Sequence, residues 1–282
     1  MLPSIITRFA PSPTGLLHSG HAYSALFAFE AARQSGGRFL LRIEDIDFTR
    51  CRRGFEETIF EDLSWLGIPW EPPVRRQSEH LLDYREATDQ LQTRGLLYPC
   101  FCTRNDIQKE IEAAGGAPHG SEGALYPGIC RTLSEDERQS RIASGESFAM
   151  RLNLERALAE TSSNLEWIDL GCGVQKAQPE LLGDVVIVRK DIGCSYHLAV
   201  VVDDALQQVT RITRGEDLFE ATHIQRLLQA LLGLQTPEYH HHPLICDANG
   251  KRLAKRHHAE TLQSLRSRGV SSEELRKCLG FQ

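Results

Sequence analysis

No apolar run in this 282-residue chain approaches the ~20 residues that a helical membrane span requires, so no membrane partner is expected. Nor is there an excess of positive charge: 32 Lys and Arg stand against 38 Asp and Glu, a net charge of −6. A broad basic surface is thereby excluded, and a nucleic-acid partner would have to be met by local patches. No stretch repeats and none is of low complexity. Met1-Leu2-Pro3-Ser4 leads directly into a β-branched segment, without the basic and then apolar pattern of a secretory signal. The 8 cysteines are scattered, and a chain of this length buries a full core without staples. A reducing, cytoplasmic setting is expected.

What is present is α/β texture. Residues 4–9 read as a strand, 22–33 as a helix and 39–43 as a second strand. Such a βαβ unit predicts a parallel sheet with a right-handed crossover. Helices are expected at 54–66 and 79–94, separated by the Gly- and Pro-bearing stretch 67–73. From Pro99 the texture changes to a Gly-rich segment with Cys100, Cys102 and Cys130. A helix at 134–144, with Ser134 and Glu137 as a capping box, and strands at 147–152 and 165–170 follow. An apolar strand at 183–189 restores the α/β pattern. Residues 196–204 fit either a strand or a buried helix. A strand at 209–214, a helix at 221–232, an apolar strand at 243–246 and a helical tail at 260–279 complete the reading.

The most informative stretch is Arg8-Phe9-Ala10-Pro11-Ser12-Pro13-Thr14-Gly15, continuing to His18-Ser19-Gly20-His21. It joins the first strand to the first helix. Prolines stiffen the turn, and glycines let a ligand approach the backbone. The helix N-terminus suits a phosphate, and two histidines three residues apart can face the same ligand. In the second half, Lys251-Arg252-Leu253-Ala254-Lys255-Arg256 forms a basic loop. Local basic patches also occur at Arg50, Arg52 and Arg53, at Arg75 and Arg76, and through residues 251–258. His240-His241-His242 cannot all point one way on a strand, and is read as strand and turn.

Together, His18-Ser19-Gly20-His21 and Arg252-Leu253-Ala254-Lys255-Arg256 resemble the HIGH and KMSKS motifs of class I aminoacyl-tRNA synthetases. Ser19 replaces an aliphatic residue and Leu253-Ala254 replaces Met-Ser, but no charged or imidazole group is lost. The opening Arg8 to Gly15 resembles the glutamyl branch, and the extent of the chain resembles its short type, the glutamyl-queuosine tRNA(Asp) synthetases. This resemblance implies a Rossmann-like α/β parallel sheet carrying an inserted zinc-containing α+β module and a helical C-terminal segment. The expected divisions are 1–98 and 183–235 for the two halves of the catalytic domain, 99–182 for the module, and 236–282 for the KMSKS-type loop and final helices. No anticodon-binding domain is expected, and a monomer is.

The resemblance also implies chemistry. L-Glutamate would be activated by ATP, with Mg2+, and then transferred to queuosine at the wobble position of tRNA(Asp). His18, His21 and Lys255 would be catalytic, with Gly20 joining them around ATP. Arg8, Phe9, Ala10, Pro11, Ser12, Glu44, Tyr196 and Arg214 would bind glutamate, Glu44 taking the ammonium. Two arginines suit a substrate with two carboxylates. Structural pairings of Arg8 with Glu44, and of Arg214 with Glu216 or Asp217, are the alternatives. One structural Zn2+ is expected on Cys100, Cys102 and Cys130. The residues alone suggest His119 as fourth ligand, whereas the resemblance implies Tyr126.

Overall fold

The computed structural model of the protein describes residues 5–113, 119–120, 123–162, 164–245 and 260–281. The chain opens with β1 (Ile6–Phe9), α1 (Ser19–Gln34) and β2 (Arg38–Ile43). β1 and β2 pair in parallel, Ile6 opposite Arg38 and Phe9 opposite Leu41. α2 (Arg53–Trp65), the short β3 (Arg75–Arg76) and α3 (Leu81–Thr93) follow, with β3 parallel to β2. Next come β4 (Leu97–Cys100), α4 (Arg104–Ala113), the hairpin of β5 (His119–Gly120) and β6 (Gly123–Ala124), and α5 (Glu135–Ala143). α5 starts on the expected capping box of Ser134 and Glu137. β7 (Ala149–Leu152), α6 (Leu154–Ala159), and the hairpin of β8 (Glu166–Asp169) and β9 (Gly173–Lys176) complete the middle of the chain. The rest is β10 (Val186–Val188), α7 (Tyr196–Leu206), β11 (Arg211–Gly215), α8 (Ala221–Leu231), β12 (Glu238–His242), α9 (Leu262–Ser267) and α10 (Ser272–Cys278).

Several elements differ from the sequence expectation. The ambiguous stretch 196–204 is helical, capped by the Ser195 hydroxyl and buried from His197 to Asp204. Burial on all sides erased the periodicity that would have identified it. The strand expected at 243–246 lies earlier, at β12; Pro243 has no N–H to extend the ladder, and 243–245 are irregular. The C-terminal helix is two helices, interrupted at Gly269 with φ +81°. β10 pairs antiparallel with β7, which pairs antiparallel with β4, rather than joining the parallel sheet.

The parallel strands occur in the orders β1-β2-β3 and β11-β12-β8-β9, with only the β8–β9 hairpin antiparallel. The two groups meet where Thr210 N donates to Ile6 O at 3.0 Å and Ile6 N donates to Thr210 Oγ1 at 2.8 Å. β1 therefore has β2 on one side and the start of β11 on the other. Chain order reverses there, and the carboxyl end of such a switch point is the ligand crevice of open α/β sheets. Alternation along β2 separates the two faces. Phe39, Leu41 and Ile43 pack with α1, α2 and α9 through Leu26, Ile59, Leu63 and Leu262. Leu40 and Arg42 point the other way, where Arg42 meets Asp204 of α7.

Candidate active site

α1 begins three residues earlier than its apolar spacing predicts because two histidines cap it. His18 Nδ1 accepts from Gly20 N at 3.1 Å, and His21 Nδ1 accepts from His18 N at 3.2 Å. A backbone N–H can only donate, so both Nδ1 atoms are acceptors and each neutral ring carries its proton on Nε2. The rings lie 3.9 Å apart at the positive end of the helix. Thr261 forms a bridge with His18, and Leu262 N donates to Leu17 O at 2.9 Å. Lys255 and the rest of the 251–258 run lie outside the described residues. The segments on either side both reach the site: Thr261 at His18, and Ile245 in the cavity wall.

A cavity of about 600 Å³ opens at the switch point. Arg8, Phe9, Ala10, Pro11, Ser12, His18, Gly20, His21, Glu44, Tyr196 and Arg214 all line it. Every expected glutamate and ATP residue within the described chain is thus brought to one place.

Arg214, on β11, is 6% exposed. Its Nη2 donates to Thr222 Oγ1 at 2.7 Å, its Nε to His241 Nε2 at 3.1 Å and its Nη1 to the Tyr196 hydroxyl at 3.5 Å. Neither Glu216 nor Asp217 pairs with it, and no carboxylate among the described residues does; Glu216 instead accepts from Leu244 N. A buried guanidinium without a carboxylate is prepared for an anionic ligand. Of the histidine triplet, His242 lines the cavity and lies 2.9 Å from Ser24 Oγ. His241 points to the other face and holds Arg214.

Arg8 does not pair with Glu44. Its Nε contacts Asp204 Oδ1 at 2.9 Å, and its Nη1 donates to Thr213 O at 3.2 Å. Asp204 is shared with Arg42, whose Nη1 lies 2.8 Å away; Arg42 Nη2 reaches Glu44 Oε1 at 3.3 Å. Burial raises the Glu44 carboxyl, opposed by the charges of Arg42 and Arg8. Sequence reading missed Arg42 and its role. The signal was an arginine in an otherwise apolar strand, which can be buried only against carboxylates, here Asp203 and Asp204 in an apolar helix.

Arg75 and Arg76 do not form a free basic patch. Arg75 is held by Asp203 at 2.7 Å and by Asp83, and Arg76 by Glu56 at 2.7 Å.

On the β4 side, the sulfurs of Cys100, Cys102 and Cys130 lie within 4.8 Å of one another. The Tyr126 hydroxyl is 3.4 Å from Cys100 Sγ and 3.6 Å from Cys102 Sγ. Tetrahedral Zn–S bonds of ~2.3 Å set sulfurs about 3.8 Å apart, so the four donors fit one zinc ion. Burial pushes the Cys102 thiol up to about 12 and raises the Tyr126 phenol as well; a dication is the charge that would ionise them. The side chain of His119 lies outside the described residues.

These features define the catalytic core of a class I aminoacyl-tRNA synthetase, and the family described as tRNA synthetases class I (E and Q), catalytic domain, matches residues 4–281, so the chain belongs to it. More particularly, the chain is 49% identical over 285 residues to the Glutamyl-Q tRNA(Asp) synthetase of Rhodobacter capsulatus, covering 98% of this chain and 100% of that protein. It is 45% identical to the protein of the same name from Symbiobacterium thermophilum, covering 94% and 82%. The solved glutamate tRNA ligase of Elizabethkingia meningosepticum, crystallised with its amino acid, superposes with TM-score 0.75 at 30% identity. That match covers 90% of this chain and 52% of the ligase, so the chain spans about half of that protein. The protein is a class I synthetase-like ligase.

Proposed function

We propose that the protein activates L-glutamate with ATP to glutamyl-adenylate without RNA, then transfers the glutamyl group to queuosine at the wobble position of tRNA(Asp). The observation that carries the substrate assignment is Arg214, a buried guanidinium that faces the cavity with only neutral partners. The side-chain carboxylate of glutamate supplies the missing counter-charge. Glu44, in the lining of the same cavity, takes the ammonium. Arg8 and Glu44 are held by Asp204 and Arg42 of the same chain, so no RNA is needed to set the pocket.

In the first step the α-carboxylate attacks the α-phosphorus of ATP, which is bound with Mg2+ as in the family. An O–P bond forms, and the bond to pyrophosphate breaks. The Nε2–H groups of His18 and His21 donate to the phosphate oxygens as charge grows there. Lys255 serves the leaving pyrophosphate; Ile245 in the cavity wall and Thr261 bridged to His18, on either side of it in the sequence, support this role. In the second step a queuosine hydroxyl attacks the acyl carbon, and AMP leaves. The acceptor-side module lies within residues 99–182, with zinc held by Cys100, Cys102, Cys130 and Tyr126; β8 and β9 of that span join the catalytic sheet through β12 instead.

The names of the R. capsulatus and S. thermophilum relatives support this acceptor. The test is glutamate incorporation into tRNA from normal cells and from cells unable to make queuosine. Label restricted to queuosine-bearing tRNA(Asp), and recovered in its anticodon fragment, is expected. Equal charging of both pools, or label in the 3′-terminal fragment, would establish the ordinary acceptor end instead.

A further inference from the structure

The loop between Glu44 and α2 is tied down along its length. Glu44 N donates to Pro11 O at 3.0 Å, Arg52 N to Pro13 O at 2.9 Å and Cys51 N to Asp47 O at 2.8 Å. The Asp45 carboxylate accepts from Ser78 N at 2.8 Å and from Ser78 Oγ at 2.6 Å. Its inner side helps line a small cavity of about 240 Å³ that shares Ser12, Thr14, Glu44 and Tyr196 with the larger one. The outer side is unusual. Phe48 is 65% exposed and makes no ring contact with any described residue. Arg52 Nη1 donates to Phe48 O at 3.4 Å and to Cys51 O at 2.8 Å, which fixes the guanidinium against the backbone of the loop that carries the ring. The Arg53 side chain is 91% exposed, its Nε 3.5 Å from the likewise exposed Glu57 carboxylate one helical turn on, a solvated pair that yields readily to a phosphate. Arg50 N donates to Asp47 O at 3.0 Å, while its side chain lines the small cavity and forms no hydrogen bond or ion pair with a described residue. The nearest carboxylate on this loop, Asp47, is already engaged by Arg189 at 3.6 Å and by the Thr49 hydroxyl at 2.6 Å.

An exposed apolar ring on a braced loop, followed within five residues by Arg50, Arg52 and Arg53, fits single-stranded nucleic acid. Unpaired bases stack on aromatic faces, and arginines meet the backbone phosphates. A duplex offers its bases to neither group. On a chain of net charge −6, this is a local patch of the kind an RNA partner needs. We propose that Phe48 is a stacking platform for an unpaired base of the acceptor RNA, with Arg50, Arg52 and Arg53 on its phosphates, so that the neighbouring reactive nucleoside enters the small cavity. The proposal rests on the reading that a base within an RNA loop is the acceptor.

The experiment measures glutamate transfer to queuosine-bearing tRNA(Asp), alongside RNA-free, glutamate-dependent ATP–pyrophosphate exchange, for the wild type and for Phe48→Ala, Phe48→Leu and Phe48→Trp. Exchange stays at the wild-type level in all three. Stacking of one base implies that Phe48→Ala and Phe48→Leu raise KM for tRNA roughly tenfold, while Phe48→Trp stays near wild type. Arg50→Gln lowers the slope of log KM against log salt by about 1. An unchanged KM in Phe48→Ala, or Leu serving as well as Trp, overturns the platform while leaving the proposed function standing. A KM insensitive to salt and to Arg50→Gln overturns it in favour of a protein partner for this ring. A wild-type enzyme that exchanges pyrophosphate but transfers nothing to this tRNA sinks the proposed function, and the platform with it.

Discussion

Nδ1 of His241 lies 2.7 Å from Oδ2 of Asp169, and that contact decides what the far side of the imidazole does. A carboxylate oxygen accepts, so Nδ1 carries the proton and Nε2 is left as an acceptor. Nε2 receives the Nε–H of Arg214 at 3.1 Å. Asp169 is fixed in turn by Gly171 N at 2.8 Å and Cys172 N at 2.9 Å. The result is a relay from the β8–β9 turn, through β12, to the arginine of the proposed glutamate pocket, with a neutral ring as its middle member.

His241→Phe keeps an aromatic ring and removes its hydrogen bonds to Asp169, Arg214 and Thr222. Losing a hydrogen bond to a charged group costs about 1.5–3 kcal/mol. The glutamate KM in pyrophosphate exchange is therefore expected to rise at least tenfold, with a smaller change in kcat. Steady-state exchange at varied glutamate checks it; an unchanged KM would mean that Thr222 and Tyr196 suffice to hold Arg214.

The same ring makes a pH-dependent contribution to stability. Burial and the Arg214 charge lower the His241 pKa from its ordinary 6.5 to about 4, against the pull of Asp169. Below pH 6.5 the unfolded chain takes up this proton while the folded chain does not, so the contribution is present above 6.5 and is lost as pH falls towards 4. Asp62 acts in the opposite direction, since burial raises its carboxyl to about 6 despite Arg266. Comparing two proteins cancels that effect. The difference in urea midpoint between wild type and His241→Phe should shrink from pH 7 to pH 4.5. A constant difference would show that the ring does not remain neutral in the fold.

Glutamate should be strongly preferred over glutamine. An amide NH2 facing Arg214 leaves the buried guanidinium unpaired, a mismatch of about 2–5 kcal/mol. Exchange rates with the two amino acids measure it directly. Comparable rates would falsify the assignment of Arg214, and Arg214→Gln should narrow the gap by weakening glutamate.

What could be read from the chain alone follows from how local each feature is. The histidine turn and the first βαβ unit were legible because their signals lie within a few residues. The partner of Arg8 was not. Asp204 is 196 positions away, and nothing in the neighbourhood of either residue announces the pairing. Helix α7 was ambiguous for the same reason that it is important, being buried all round and carrying Asp203 and Asp204 inward. Arg75 and Arg76 appeared as a surface patch because their acidic partners, Asp203 and Glu56, come from other elements.

Lys255→Ala should slow the chemical step rather than weaken glutamate binding. A lysine that meets charge developing on the leaving pyrophosphate acts in the transition state, so kcat in exchange falls while the glutamate KM holds. A variant whose KM rises while kcat stays level would place Lys255 in substrate binding instead.

Purified protein should carry one zinc per chain, and the fourth ligand is open to a direct comparison. Tyr126 already accepts the backbone N–H of Cys130 at 2.9 Å, and Arg151 lies over its ring at 3.9 Å, so the phenol oxygen is positioned before any ion arrives. Burial raises the phenol and the backbone donor at its oxygen opposes that, so a dication at the sulfurs is what would make the phenolate a metal needs. Tyr126→Phe removes that oxygen and retains the ring. It should lower zinc content after dialysis against a mild chelator and reduce the melting temperature, whereas His119→Ala should change neither. Elemental analysis and thermal denaturation of both variants decide it: full retention in Tyr126→Phe together with loss in His119→Ala assigns the fourth position to the histidine, and metal-free wild type with unaltered stability removes zinc from the site.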